Sequence, residues 1–167
     1  MTLSPPVLVR PAKPEDVVAL GRMGTALVQY HHSLDPLRFC LVSDERGYGA
    51  FLASEMRRQG SIVLVAEARG EDGAGRVVGY AWGRLEGRDW ALLLDAYGAL
   101  HDLYVEPEGR RLGAGRALCE GMIQRLSELG APRVVLSTAS KNEAAQRLFA
   151  SLGFRATMTE MTRERSS

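Results

Sequence analysis

The stretch VEPEGRRLGAGRAL, Val105–Leu118, decides the fold. It sets three glycines and three arginines between an apolar run, ALHDLYVE, and an amphipathic pattern that continues from about Gly113 to Leu129. A Walker loop would need Gly, four residues, then Gly-Lys-Ser/Thr, and the stretch has no lysine. A dinucleotide fingerprint would need a third glycine three residues beyond Gly115, where Leu118 stands. What remains is Arg110-x-x-Gly113-x-Gly115 after a strand and opening a helix. The free N–H groups of a first helical turn attract an anion, and glycine lets phosphate oxygens approach backbone that a Cβ would screen. Arg111 and Arg116 add charge on either side.

Working outward, the order of patterns is β, α, α, β, β, β, α, β, α, β. VLVR is a short strand, and Pro14-Glu15-Asp16 suits the first turn of a helix that runs to about Tyr30 with Val17, Leu20, Leu27 and Val28 on one face. A second helical pattern carries Phe51, Leu52, Glu55 and Met56 and stops at Gly60. SIVLVAEA and RVVGYAWGRL form an antiparallel hairpin across the glycine loop Gly70–Gly75. EGRDWALLLDAYG reads as a loop or a strand extension. Pro107 ends the run ALHDLYVE, and the next helix buries Leu118, Met122, Leu126 and Leu129 before Gly130. RVVLSTA is a strand, Asn142 to Leu152 a helix, and FRATMTEMTR a last strand alternating Phe154, Ala156 and Met158. A strand, helix, strand unit flanking Gly113–Leu129 requires a parallel pair with a right-handed crossover, so the sheet is mixed.

The bulk numbers agree with one soluble α/β domain spanning residues 1–167 of the 167-residue chain. Lysine plus arginine total 21 against 20 acidic residues, which leaves no global field for nucleic acid or an anionic membrane. Cys40 and Cys119 lack metal-ligand spacing and are expected to be reduced packing residues. The first sixteen residues have no basic region followed by an apolar core, and no run nears the roughly 18 apolar residues that span a bilayer, so a cytoplasmic address is expected.

The motif Arg110-x-x-Gly113-x-Gly115, followed at the usual distance by Asn142-x-x-Ala145-x-x-Leu148 and LGF at Leu152–Phe154, resembles the GNAT superfamily of acyl-CoA-dependent N-acetyltransferases. The resemblance covers most of the chain. It implies a mixed, mostly antiparallel sheet of six to seven strands with a splayed parallel pair, flanked by about four helices. It also implies acetyl-CoA as co-substrate, with no metal. The pantetheine arm would pair with the backbone of Leu103, Tyr104 and Val105. The pyrophosphate would sit on Arg111, Leu112, Gly113, Ala114, Gly115 and Arg116 with Arg110 beside them, and Asn142 would contact the coenzyme.

Acetyl transfer needs a neutral amine, and an alkylamine with a pKa near 10 is less than about 1% neutral at pH 7. His101, two residues before the pantetheine stretch, is the candidate general base, where relatives often carry Glu or His. Strand alternation puts it with Ala99, Leu103 and Val105, and puts Asp102, a candidate cap of an exposed face, with Tyr104. Many relatives carry a tyrosine that protonates the leaving thiolate where this chain has Phe149. In this architecture the acceptor pocket draws on the stretches Tyr30–Tyr48 and Trp82–Tyr97, with Tyr30, Tyr48, Trp82 and Tyr97 as candidates. The pair His31-His32 with Asp35 lacks a third spaced ligand and is not read as a metal site. No cysteine stands at a nucleophile position, so direct attack of a primary amine in a ternary complex is expected, on a small-molecule or peptide acceptor. The alternative is a non-catalytic acyl-CoA-binding sensor. The last strand would allow pairing between subunits, and a homodimer is expected.

Overall fold

The structure is a computed structural model that describes residues 7–70 and 74–165. The elements are β1 (Val7–Pro11), a 3-10 turn at Pro14–Asp16, α1 (Val17–Leu34), α2 (Glu45–Glu55), β2 (Ser61–Arg69), β3 (Gly75–Glu86), β4 (Tyr97–Val105), α3 (Pro107–Arg110), α4 (Ala114–Glu128), β5 (Val134–Leu136) and α5 (Glu143–Ser151). The five strands lie side by side in sequence order. β1 to β4 are antiparallel, and β5 runs parallel to β4 after the α4 crossover. The centre of the glycine loop, 71–73, lies outside the described residues.

Both faces of the sheet are covered, which is why the central strands read as continuous apolar runs rather than as alternation. Along β2, Leu64 and Ala66 meet Leu118, Cys119, Met122 and Leu126 of α4, while Val63 and Val65 meet Leu20, Met23 and Leu52 of α1 and α2. The period of two sends successive residues to opposite helical layers. Among the described residues no helix is long and apolar enough to cross a membrane.

Several expectations are corrected. Among the described residues the sheet has five strands, not six to seven, and the helices number five because Pro107 opens a four-residue helix instead of a loop. FRATMTEMTR is not a strand: residues 155–165 are irregular and exposed, and only Phe154 reaches the core, against Phe149 at 5.9 Å. Alternation suggests a strand, but a strand needs an edge to pair with, and β5 is three residues long. The homodimer expectation loses the strand on which it rested. Leu129 caps α4 and is exposed, and Cys40 is exposed whereas Cys119 is buried.

Two local arrangements hold the frame. Asp16, 5% exposed, takes both terminal nitrogens of Arg10 at 2.7 and 3.1 Å and the Lys13 N–H at 2.8 Å, and Arg10 also reaches Glu67 on β2. This ties the start of α1 to the sheet edge. Helices α1 and α2 cross through glycine: a Cβ on Gly21 would stand 2.1 Å from the Glu45 carbonyl oxygen, and one on Gly24 would stand 2.1 Å from the Tyr48 ring. The bare backbone of Gly24 is the floor on which Tyr48 lies.

Burial alone would raise the Asp16 carboxyl, but the Arg10 fork and the Lys13 N–H outweigh it and hold the group below the usual carboxylate range. A depressed carboxylate contributes stability that is present above the unfolded-state value near 3.9 and lost as pH falls through the lower folded value. Asp16→Asn should therefore lower the unfolding free energy by about 3 kcal/mol at pH 7 in urea titrations, with the gap to the unmodified chain closing towards pH 2. Helix propensity alone would make Gly24→Ala stabilising by about 1 kcal/mol. The Tyr48 contact reverses the sign, and a loss of about 1–3 kcal/mol is expected in the same titration.

Candidate functional site

The site is organised by a break in β4. Trp82 of β3 pairs with Asp102, but the next residue, Gly83, pairs with Leu100, so His101 is the extra residue of a bulge. The parallel ladder to β5 ends at the same level, Leu100 opposite Leu136. Leu100, Leu103 and Val105 all join the α4 layer, which leaves His101 and Asp102 together between them and interrupts the alternation. The expectation that His101 shares a face with Leu103 and Val105 is thereby overturned. A bulge bends its strand and frees backbone groups that a regular ladder would consume.

His101 instead stacks on Trp82, with ring centroids 4.3 Å apart and planes 25° apart, and its Nε2 lies 3.2 Å from Glu86 Oε1. Trp82 is fixed in turn, its Nε1–H donating to Glu55 at 3.2 Å and to Ser61 at 3.1 Å. Phe51 meets Trp82 edge-on at 4.9 Å, and Tyr48 meets Phe51 at 6.0 Å. Burial would raise Glu86, but Arg84 and His101 outweigh it and hold the carboxyl below its usual range. An ionised Glu86 accepts from Nε2–H and leaves Nδ1 of His101 as the proton acceptor.

Asp102 does not cap an exposed face. It is 8% exposed and accepts from Tyr48 Oη at 2.7 Å and Tyr80 Oη at 2.8 Å. Desolvation raises this carboxyl, and its two hydroxyl donors offset only part of that. Both tyrosines are pushed up, first by burial and then by the Asp102 charge, so they remain donors across the physiological range.

Where β4 and β5 part, a cavity of about 70 Å³ opens, lined by His31, His101, Leu103, Ser137, Asn142 and Phe149 among others. Asn142 is buried and caps α5 by accepting the Ala145 N–H at 3.2 Å, and Tyr30 Oη approaches the same oxygen at 3.5 Å. Tyr97 is buried at the start of β4 opposite Glu86, about 13 Å along the strand from His101.

Beyond the end of β4, Gly113 adopts φ +75° as the N-cap of α4, and no side chain caps that helix. The N–H groups of Ala114, Gly115 and Arg116 precede any intrahelical acceptor. The arginines divide by task. Arg110 Nε donates to the Val105 carbonyl at 3.0 Å and locks the turn to the strand. Arg116 is held by Ser151 at 2.7 Å and Glu120 at 3.3 Å. Among the described residues the Arg111 side chain carries no hydrogen bond or ion pair and is exposed.

Sequence reasoning placed His31 only within the acceptor stretch Tyr30–Tyr48 and singled out neither Phe51 nor Glu86. The signal for His31 was present, since Leu20, Gly24, Leu27 and His31 follow one helical stripe. The Cys119 thiol, pushed up to about 12 by burial, is no nucleophile at neutral pH. Among the described residues no cluster of three or more His, Cys, Asp or Glu is arranged to hold a metal.

An uncharacterized N-acetyltransferase of Bacillus subtilis, YhfO, is 25% identical over 146 residues, which cover 87% of this chain and 88% of that protein. The mycothiol acetyltransferase of Thermobispora bispora is 37% identical over 85 residues, 48% of this chain but only 27% of that one. A Bacillus halodurans protein solved as a tetramutant superposes with a TM-score of 0.79 at 21% identity, covering 95% and 99% of the two chains, and so shares the fold. The family model for GNAT acetyltransferases matches residues 27–154. With a strand that breaks register at His101 and a helix opened by left-handed Gly113, the chain belongs to the acetyltransferase (GNAT) family.

Proposed function

We propose that this protein transfers the acetyl group of acetyl-CoA to a primary amine by direct attack in a ternary complex. The observation that carries this is the coincidence, on one strand, of the point where β4 leaves β5 and the uncapped glycine turn that follows. A thioester arm entering the gap would lie along the backbone of Leu103, Tyr104 and Val105. Its phosphates would sit on the stretch from Arg111 to Arg116 and meet the free N–H groups of Ala114, Gly115 and Arg116, with the Arg111 side chain free to close on them. The residues fit such a ligand: an added Cβ at Gly113 meets nothing within 4 Å, so that surface is open to solvent, and left-handed backbone turns its amides outward.

His101 acts as general base through Nδ1, oriented by the Trp82 stack and the Glu86 carboxylate in the manner of a base held by an acidic partner. Tyr48, Phe51 and Trp82 present an aromatic wall near the carboxylates Asp102 and Glu86, which suits an amine that arrives as ammonium and is deprotonated in place. Acetyl-CoA as donor accords with a cytoplasmic site of action.

A second reading, a coenzyme sensor without turnover, is favoured by Phe149, which lines the cavity with a ring that has no proton to give. Release of free thiol from acetyl-CoA, measured against polyamines, aminoglycosides, amino acids and short lysine peptides, separates the two. Turnover with one amine class supports the transferase; acetyl-CoA binding with no release across the panel supports the sensor. Arg111→Ala should weaken acetyl-CoA binding about tenfold in calorimetry, with a reduced salt dependence, and leave the unfolding midpoint in place. Arg110→Ala, which frees the Val105 carbonyl, should instead lower stability by about 1–2 kcal/mol.

A further inference from the structure

The cavity at the parting of β4 and β5 holds a second imidazole that the proposed base does not account for. His31 lies half-buried on α1, edge-on to Phe39 at 5.1 Å and to Tyr30 at 5.9 Å. Its Nδ1 stands 2.9 Å from the Leu27 carbonyl oxygen, which can only accept, so Nδ1 carries a hydrogen. Nε2 is the nitrogen left for the cavity, and in the imidazolium form it is a donor. Asp102, the neighbour of His101 on β4, lies within electrostatic reach of both imidazoles.

The remaining lining offers no comparable acid. Leu27, Leu100, Leu103, Leu136, Ala145 and Phe149 are apolar. Ser137 and Thr138 are hydroxyls far too weakly acidic to give up a proton near neutrality, and Asn142 is an amide engaged in capping. His101 is already oriented by Glu86 as the acceptor.

We propose that His31 is the general acid of this site, delivering a proton from Nε2 to the sulfur that leaves, a role that rests on the acetyl-transfer reading above. The amine, its ammonium proton already passed to water, bonds through nitrogen to the thioester carbonyl carbon and gives its second proton to His101. The carbon–sulfur bond breaks with its electron pair on sulfur, and sulfur takes the Nε2 proton of the His31 imidazolium. The products are the amide, a neutral thiol, a neutral His31 and a protonated His101. Exchange with water returns both rings to their starting states, so charge and atoms balance.

The test uses the full chain, acetyl-CoA and whichever amine gives thiol release. His31→Gln and His31→Asn should each lower kcat about 100-fold while acetyl-CoA affinity in calorimetry stays within twofold. Adding Phe149→Tyr to His31→Gln, which puts a phenolic hydroxyl into the same cavity, should recover at least tenfold in kcat, a larger factor than it gives the unmodified chain. Retained kcat in either His31 variant overturns the acid role and leaves the transferase reading standing. Reduced kcat in both with no recovery from Phe149→Tyr also overturns it, because the loss then comes from packing. No release by the unmodified chain with any amine overturns the transferase reading and the acid role together.

Discussion

Everything at the proposed site depends on β4 keeping two different appointments along its length. Up to Leu100 it is an interior strand, paired with β3 on one side and β5 on the other. At His101 the register to β3 slips by one residue and the ladder to β5 stops. One extra residue thus marks two changes: it swings an imidazole and a carboxylate out of the alternation, and the backbone beyond it, still paired with β3, has no partner strand on the β5 side. Unpaired backbone inside a domain is costly unless something takes its hydrogen bonds, and an extended ligand arm is a natural occupant.

The helical layer over that break is built close by leaving side chains out. Gly21 and Gly49 let α1 and α2 approach, and Gly24 gives the Tyr48 ring a place to lie. From there the Tyr48 hydroxyl reaches Asp102, and Tyr80 reaches the same oxygen from the sheet. A buried carboxylate with two neutral donors keeps part of its desolvation penalty, which is why the Asp102 carboxyl stays raised. The charge logic of the protein is local: a net charge of +1 hides an arginine that locks a turn, another tied to a neighbouring helix, and a third left free at the helix mouth.

Phe149 changes the chemistry of the cavity without changing its packing. The ring stays 8% exposed, touches Phe154 and belongs to the same apolar cluster as Leu118 and Met122. On the acid role proposed for His31, a ring without a hydroxyl there leaves proton supply to the histidine that α1 brings to the same cavity.

Much was legible in the chain itself. The glycine–arginine turn, its place between a strand and a helix, the crossover to a parallel strand and the asparagine cap of α5 all follow from local chemistry: glycine alone accepts left-handed backbone, and short polar side chains cap helices. What the sequence could not determine is anything that depends on a partner distant in the chain. Alternation assigned His101 to the wrong face because a bulge is a property of two strands, and it made a strand of residues that have no edge to join. Asp102 looked exposed because the tyrosine that buries it lies 54 positions away. His31 could be placed only in a pocket stretch, because only tertiary packing sets its helical stripe against the gap beside β4. Local preference is written residue by residue, whereas burial, register and the meeting of acid with base exist only once the layers have closed on one another.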